Sequence, residues 1–150
     1  MWKIRKRISE FLPNSPPPIL EVTEPVIKAI ELMRDKNRSA VLVVSEGRLV
    51  GIFTGRDFLE RVAGPGLSSQ TLLGEVMTRD PDTLSPADSI AYVIERMAGR
   101  GYRNVPIVVD GRPVGQLSVR DVISHLSTIF AGLESGDDRS SRDWIDLGGG

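Results

Sequence analysis

The chain has 150 residues, of which 40% are hydrophobic and 5% aromatic, and its formal net charge is −1, values typical of one soluble domain whose core is built from Val, Ile and Leu. The absence of cysteine excludes disulfides and thiolate zinc sites, and the near-neutral charge argues against a broad face that binds a nucleic acid polymer. No apolar run approaches the ~20 residues of a membrane span and the first residues lack the pattern of a signal peptide, so we expect a cytoplasmic protein without a transmembrane segment.

The first predicted element is a basic amphipathic segment. Residues 1–12 mix apolar and basic side chains in a spacing that predicts one short helix. We interpret this helix as packing on the body of the protein or on a second copy, and docking on a membrane surface or a partner stays as the alternative. Pro13 and the prolines at 16–18 then end any helix and impose an extended spacer.

An internal duplication organises the rest of the chain. Residues 17–62 match residues 81–126 without a gap, at the offset given by their equivalent glycines, Gly51 and Gly115 (115 − 51 = 64). Each copy begins with apolar residues at i, i+3, i+4 and i+7, which predict an amphipathic helix. Two apolar runs joined by a short turn follow and predict a β-hairpin. The predicted order is strand, helix, strand, strand, helix, and two such units can bury their open sheet faces by packing sheet to sheet.

Both copies end in the same signature of glycine, hydroxyl, arginine and aspartate. The hydroxyl falls at or near a helix N-cap, with backbone N–H groups and the arginine beside it, an arrangement that receives an anion. The aspartate can accept two hydrogen bonds at once, as a sugar diol supplies. One copy alone is also explained by an ordinary capping box, but the repetition at one spacing favours a nucleotide site. The residues are Thr54, Arg56 and Asp57 in the first copy and Ser118, Arg120 and Asp121 in the second.

The repeat, the hairpins and the signatures resemble a tandem pair of CBS domains, the modules named for cystathionine β-synthase. The resemblance covers about residues 17–127 and rests also on Val76-Met77-Thr78 and on residues 102–109. It implies an α/β (α+β) fold in which two βαββα units pack sheet to sheet as a pseudo-two-fold disc. The predicted divisions are the basic segment and Pro-rich spacer at 1–16, the first unit at 17–64, a linker at 65–76, the second unit at 77–134 and a disordered acidic tail at 135–150.

The resemblance further implies two clefts that bind adenine nucleotides such as AMP, ADP or ATP as regulatory ligands, with no required cofactor. In the family, the signature aspartate holds the ribose hydroxyls and the hydroxyl residue approaches the phosphates. Carried onto this chain, the first cleft joins Thr54, Arg56 and Asp57 to Met77, Thr78, Arg79, Asp80 and Asp82 of the segment 77–82. The second cleft joins Ser118, Arg120 and Asp121 to the prolines at 16–18, including Pro18.

Two further arginines and the proline wall complete the predicted sites. Arg38 and Arg103 stand at the mouths of the hairpins, either as phosphate ligands or as solvated residues at a strand start. Because prolines have no N–H to offer a base, the second cleft is predicted to be the weaker one.

The function predicted from the sequence is nucleotide sensing without catalysis. His125 is the only histidine, and neither a catalytic cluster nor a metal-ligand spacing includes it. We expect a homodimer, because Leu126, Ile129, Phe130 and Leu133 extend the last helix with apolar surface. The predicted module passes a ligand-dependent change of shape to an effector protein. The alternative is a dimeric interaction module that recruits a partner through its termini without any ligand.

Overall fold

The computed structural model describes residues 6–13 and 15–137, with side chains as far as residue 132. The first basic residues and positions 138–150 of the predicted acidic tail lie outside the described residues. In chain order the elements are β1 (Ile19–Glu21), α1 (Val26–Lys36), β2 (Ala40–Ser45), β3 (Arg48–Thr54), α2 (Gly55–Asp57), α3 (Leu73–Val76), β4 (Thr78–Arg79), α4 (Ile90–Arg100), β5 (Asn104–Val109), β6 (Arg112–Ser118) and α5 (Val119–Asp137). None of the described helices is long and apolar enough to cross a membrane.

The first repeat has the predicted order of strand, helix, strand, strand, helix, and α2 continues as a π-helical turn over Phe58–Ala63. Its sheet has the order β1-β2-β3-β4, with β1 parallel to β2 and the other pairs antiparallel. The central strand β2 is buried from Ala40 to Val44, as expected for an apolar run covered on both faces. The strand β4 comes from the second repeat, so the two repeats share this sheet.

The second repeat repeats this order with a smaller sheet. Strands β5 and β6 form a hairpin, and the expected first strand is reduced to one parallel bridge between Leu84 and Ile107. Among the described residues, no strand pairs with the other edge of β6 as β4 does with β3. The equivalent positions, 64 residues before Thr78 and Arg79, are Asn14, which lies outside the described residues, and Ser15.

The N-terminal segment, residues 6–12, packs on the second repeat of its own chain. Ile8 is fully buried in the second core, and Phe11 and Leu12 pack against the same cluster. In residues 6–12, the part of the predicted helix that the structure describes, the helical element is a 3-10 turn at Ile8–Glu10. The reason is that the Ile8 N–H donates to the carbonyl of Asp88, at 2.8 Å, rather than within a helix.

The linker packs on the first repeat in the same way as the N-terminal segment packs on the second. The N–H of Ile90, the first residue of α4, donates to the Lys6 carbonyl at 2.8 Å. The N–H of Val26, the first residue of α1, donates to the Thr71 carbonyl at the same distance, 2.8 Å. Each core is therefore closed by the segment that precedes the other repeat.

The apolar surface predicted along α5 is largely covered within the chain. Ile129 is only 8% exposed and Leu126 packs against the second core, because residues three or four apart share the helix face that meets the core. Phe130 is partly buried, and the side chain of Leu133 lies outside the described part. The two signature helices are α2 with its π-helical turn and α5, because each begins at a signature. Their exposed apolar side chains are instead Leu59 at 64% and Ile123 at 58%.

Candidate functional site

Two cavities of similar size lie between the repeats. The first cleft, about 580 Å³, is bounded by the turn at the start of α2, by residues 78–82 and by the turn between α4 and β5. The second cleft, about 570 Å³, is bounded by the start of α5 and by the turn between α1 and β2. Ser39, Arg103 and Asn104 line both cavities, which are therefore adjacent.

The first signature forms a capping box whose aspartate is buried. Asp57 is 5% exposed, and its Oδ2 accepts hydrogen bonds from the Thr54 N–H at 3.0 Å and the Thr54 hydroxyl at 3.1 Å. Its Oδ1 accepts from the Thr78 hydroxyl at 2.9 Å and lies 3.7 Å from Nε of Arg61. Asp57 thus fixes Thr54 and Thr78, which line the first cleft, and joins one repeat to the opening of the other.

The second signature leaves its aspartate in the wall of the cavity. The Asp121 N–H donates to the Ser118 hydroxyl at 3.0 Å, and Oδ2 of Asp121 accepts from the Ser118 N–H at 2.9 Å. The same Oδ2 lies 3.3 Å from Nη1 of Arg38, which comes from the first repeat. The Asp121 side chain is 22% exposed and lines the second cleft with Ser118, Arg120 and Arg38.

Only part of the segment 77–82, which the sequence predicts to line the first cleft, lies there. Thr78 and Asp82 line the cleft together with Thr54, Arg56 and Arg103. Met77 is instead 3% exposed in the first core, as expected because neighbouring residues of an extended segment point to opposite faces. Arg79 and Asp80 are exposed on the surface, and Arg79 donates to the Gly74 carbonyl at 3.0 Å.

None of the prolines at 16–18 is among the residues that line the second cleft, in contrast to the sequence-based prediction. Pro18 is buried, and its carbonyl accepts from the Leu42 N–H at 2.9 Å, so it continues the edge of β1. The wall opposite Asp121 consists of residues 36–39. The expectation that missing proline N–H groups weaken this cleft therefore loses its structural basis.

Tyr102 is a lining residue of the first cleft that the motifs did not identify. Its hydroxyl donates a hydrogen bond to Asp82, which also pairs with Arg96 at 2.8 Å and Arg100 at 3.5 Å. The Tyr102 hydrogen bond lowers the pKa of Asp82 below its ordinary value, the two arginines add to this effect, and partial desolvation opposes it. Asp82 is therefore charged at neutral pH and holds the Tyr102 ring in place.

His125 has a packing role. Its ring stacks on Phe11 with centroids 4.5 Å apart, and its Nε2 is buried without a hydrogen bond to any described residue. Burial lowers the pKa of His125 from 6.5, repulsion by Lys6 lowers it further, and Glu10 acts in the opposite direction. Across the described part of the chain, no group of three His, Asp or Glu side chains could hold a metal ion.

The lowered pKa of His125 predicts that stability rises with pH around 6.5. Between the folded pKa of His125 and 6.5, the unfolded chain binds more protons than the folded chain. The contribution of the neutral imidazole to stability is therefore complete above pH 6.5 and is lost as the pH falls through the folded pKa. The free energy of unfolding of the wild type and of His125→Gln should be measured by urea denaturation at several pH values. The difference in free energy of unfolding between wild type and variant should shrink as the pH falls. Parallel pH profiles for the two proteins would contradict a lowered pKa of His125.

Comparison with known proteins matches both repeats to one family. The family model described as "CBS domain" matches residues 8–64 and 73–128. CBS domain-containing protein YhcV of Bacillus subtilis is 32% identical over 106 residues, which cover 70% of this chain and 76% of that protein. CBS domain-containing protein CBSX3, mitochondrial, of Arabidopsis thaliana is 31% identical over 65% of this chain. This chain spans 50% of CBSX3 and 33% and 42% of two further relatives.

A solved structure gives the same fold. The CBS domain pair of protein MJ0100, crystallised in complex with 5′-methylthioadenosine and S-adenosyl-L-methionine, superposes with a TM-score of 0.71 and 27% identity. The superposition covers 81% of this chain and 98% of that chain.

Proposed function

This chain belongs to the CBS domain family as a tandem pair, and from that membership we propose that it is a regulatory module that binds an adenine nucleotide between its repeats. The observation that carries the proposal is the pair of equivalent cavities, about 580 and 570 Å³, in the range of small-molecule sites. Adenosine derivatives are the ligands of the similar MJ0100 domain pair. The ligand is a regulator of shape rather than a substrate or a required cofactor.

The chemistry of the first cleft suits an adenosine group. Ile52, Pro81 and Tyr102 supply apolar and aromatic lining on which a base can pack. The Thr54 and Thr78 hydroxyls donate to Asp57 and can each accept a hydrogen bond from a ribose hydroxyl. The guanidinium groups of Arg56 and Arg103 supply donors for phosphate. Asp57 acts by holding the two threonines, since both its oxygens already accept hydrogen bonds.

Adenine nucleotides are expected to raise the melting temperature. A ligand at one hundred times its Kd adds about 2.7 kcal/mol of stability, or roughly 5–10 °C for a domain of this size. Thermal shift should be measured with AMP, ADP, ATP, NAD, S-adenosylmethionine and cyclic di-AMP. Absence of a shift with all of them at millimolar concentration would contradict the proposal and favour the ligand-independent interaction module.

We further propose that the signal passes through a homodimer. Leu59 and Ile123 are equivalent in the repeat (123 − 59 = 64) and both are exposed, so the two signature helices present matching apolar surface. A symmetric dimer through these helices would connect both clefts to one interface. A nucleotide could then change the angle between discs and the contacts available to an effector protein.

Replacing both side chains, as Leu59→Asp with Ile123→Asp, is expected to give a monomer. Light scattering after size exclusion should show twice 16.4 kDa for the wild type and 16.4 kDa for the variant. Leu67→Asp, at a side chain that is 47% exposed in the linker, is the control and should remain dimeric. A wild-type mass of one chain would contradict the dimer.

A further inference from the structure

The two clefts differ in chemistry at equivalent positions of the repeat. Where the first cleft has Tyr102, the second has Arg38 (102 − 38 = 64). The second cleft is lined by four cationic side chains and one carboxylate, and the first by two cationic side chains and one carboxylate. The charged side chains that line the second cleft are Lys36, Arg38, Arg103, Arg120 and Asp121. One cavity therefore carries the aromatic side chain and the other carries the larger excess of positive charge.

The junction between the clefts is itself cationic and polar. Arg103 lines both cavities, and its carbonyl accepts from the Val119 N–H at 2.9 Å, which fixes its backbone at the start of α5. Beside it, the Asn104 amide donates to the Ser39 hydroxyl at 3.1 Å. A chain of anionic groups leaving the first cleft would pass these donors before it met Arg38 and Arg120.

Resting on the proposed function, we propose that one nucleoside polyphosphate occupies both clefts of a chain. The nucleoside lies in the first cleft against Tyr102, and the outer phosphates extend past Arg103 into the second cleft. There they pair with Arg38 and Arg120, and Arg38 exchanges its 3.3 Å contact with Asp121 for the phosphate. The consequences are a stoichiometry of one ligand per chain and an affinity that grows with the number of phosphates.

The test is titration calorimetry of the full chain with AMP, ADP, ATP and inorganic tripolyphosphate. We expect one ATP per chain and affinity in the order ATP, ADP, AMP. Tripolyphosphate should bind by itself and compete with ATP. Arg38→Gln should weaken ATP binding roughly 10- to 100-fold, the loss expected for a hydrogen bond between charged groups, with less than about a threefold change for AMP.

Two further variants separate a phosphate contact from a general effect of charge or folding. Arg34→Gln removes the same charge from α1 at a side chain that is 73% exposed and outside both clefts, so it should leave the preference for ATP over AMP unchanged. Arg120→Gln should reduce that preference, as Arg38→Gln does. Melting temperatures without ligand identify any variant that is destabilised.

The outcomes distinguish this inference from the proposed function. Two ATP molecules per chain, or equal loss of AMP and ATP affinity in Arg38→Gln, would overturn the shared site while nucleotide binding stood. Failure of AMP, ADP and ATP to bind at all would overturn the proposed function, and the shared site with it.

Discussion

Replacing Ile8 by alanine is expected to lower the free energy of unfolding by about 2–5 kcal/mol, the range for an isoleucine truncated in a core. Ile8 is fully buried among residues of the second core, although it precedes the first repeat in sequence. The truncation removes apolar contacts and leaves a cavity beneath α4 and the second sheet. Urea denaturation followed by circular dichroism would measure the loss.

Leu67→Ala is a suitable control, because this side chain is 47% exposed in the linker. A change within about 0.5 kcal/mol is expected there, as for most surface substitutions. If Ile8→Ala were equally mild, the N-terminal segment would not be part of the second core, and its assignment to the body of the protein would be wrong.

Replacing Asp57 by alanine is expected to destabilise the chain by about 2 kcal/mol, because it leaves partly buried donors of Thr54 and Thr78 unpaired. The carboxylate accepts from the Thr54 N–H and hydroxyl and from the Thr78 hydroxyl, at 2.9–3.1 Å, and is 5% exposed. As a cap alone, it would contribute only about 1 kcal/mol. The difference comes from Thr78, which belongs to the other repeat.

Asp121→Ala provides the matched control at the equivalent position of the second repeat. Asp121 is more exposed, at 22%, and its contact with Arg38 is long at 3.3 Å, so we expect a loss of about 1 kcal/mol. Chemical denaturation of the two variants side by side would measure the contrast. Equal losses would show that the bond from Asp57 to Thr78 contributes little to joining the repeats.

The sequence predicts the repeated elements because their signals are local. Amphipathic periodicity defines α1 and α4, and the turns at Gly47 and Gly111 define the hairpins, where both glycines have positive φ. The capping box at Thr54 and Asp57 also follows from spacing alone. These features depend on residues close together in the chain, so a pattern of a few positions suffices to predict them.

Contacts between distant segments explain what the sequence does not predict. Nothing in the N-terminal pattern shows that Ile8 enters the core of the second repeat. Its N–H donates to the carbonyl of Asp88, which lies eighty residues further along the chain (88 − 8 = 80). The burial of Asp57 depends on Thr78, and the position of Pro18 depends on its pairing with Leu42. The sequence repeat shows that Tyr102 and Arg38 occupy equivalent positions. It does not show that the two residues line different clefts and give them different chemistry.

A titration of isotope-labelled protein with ATP, followed through the backbone amide signals in two-dimensional NMR, tests whether a nucleotide binds between the repeats. Saturable shifts are expected to cluster at the cleft residues Gly55, Arg103, Asn104 and Val119. Signals of Ile8 and Leu73, which are buried in the two cores and line neither cleft, should change little. Shifts absent at millimolar ATP, or confined to residues outside the clefts, would contradict a nucleotide site between the repeats.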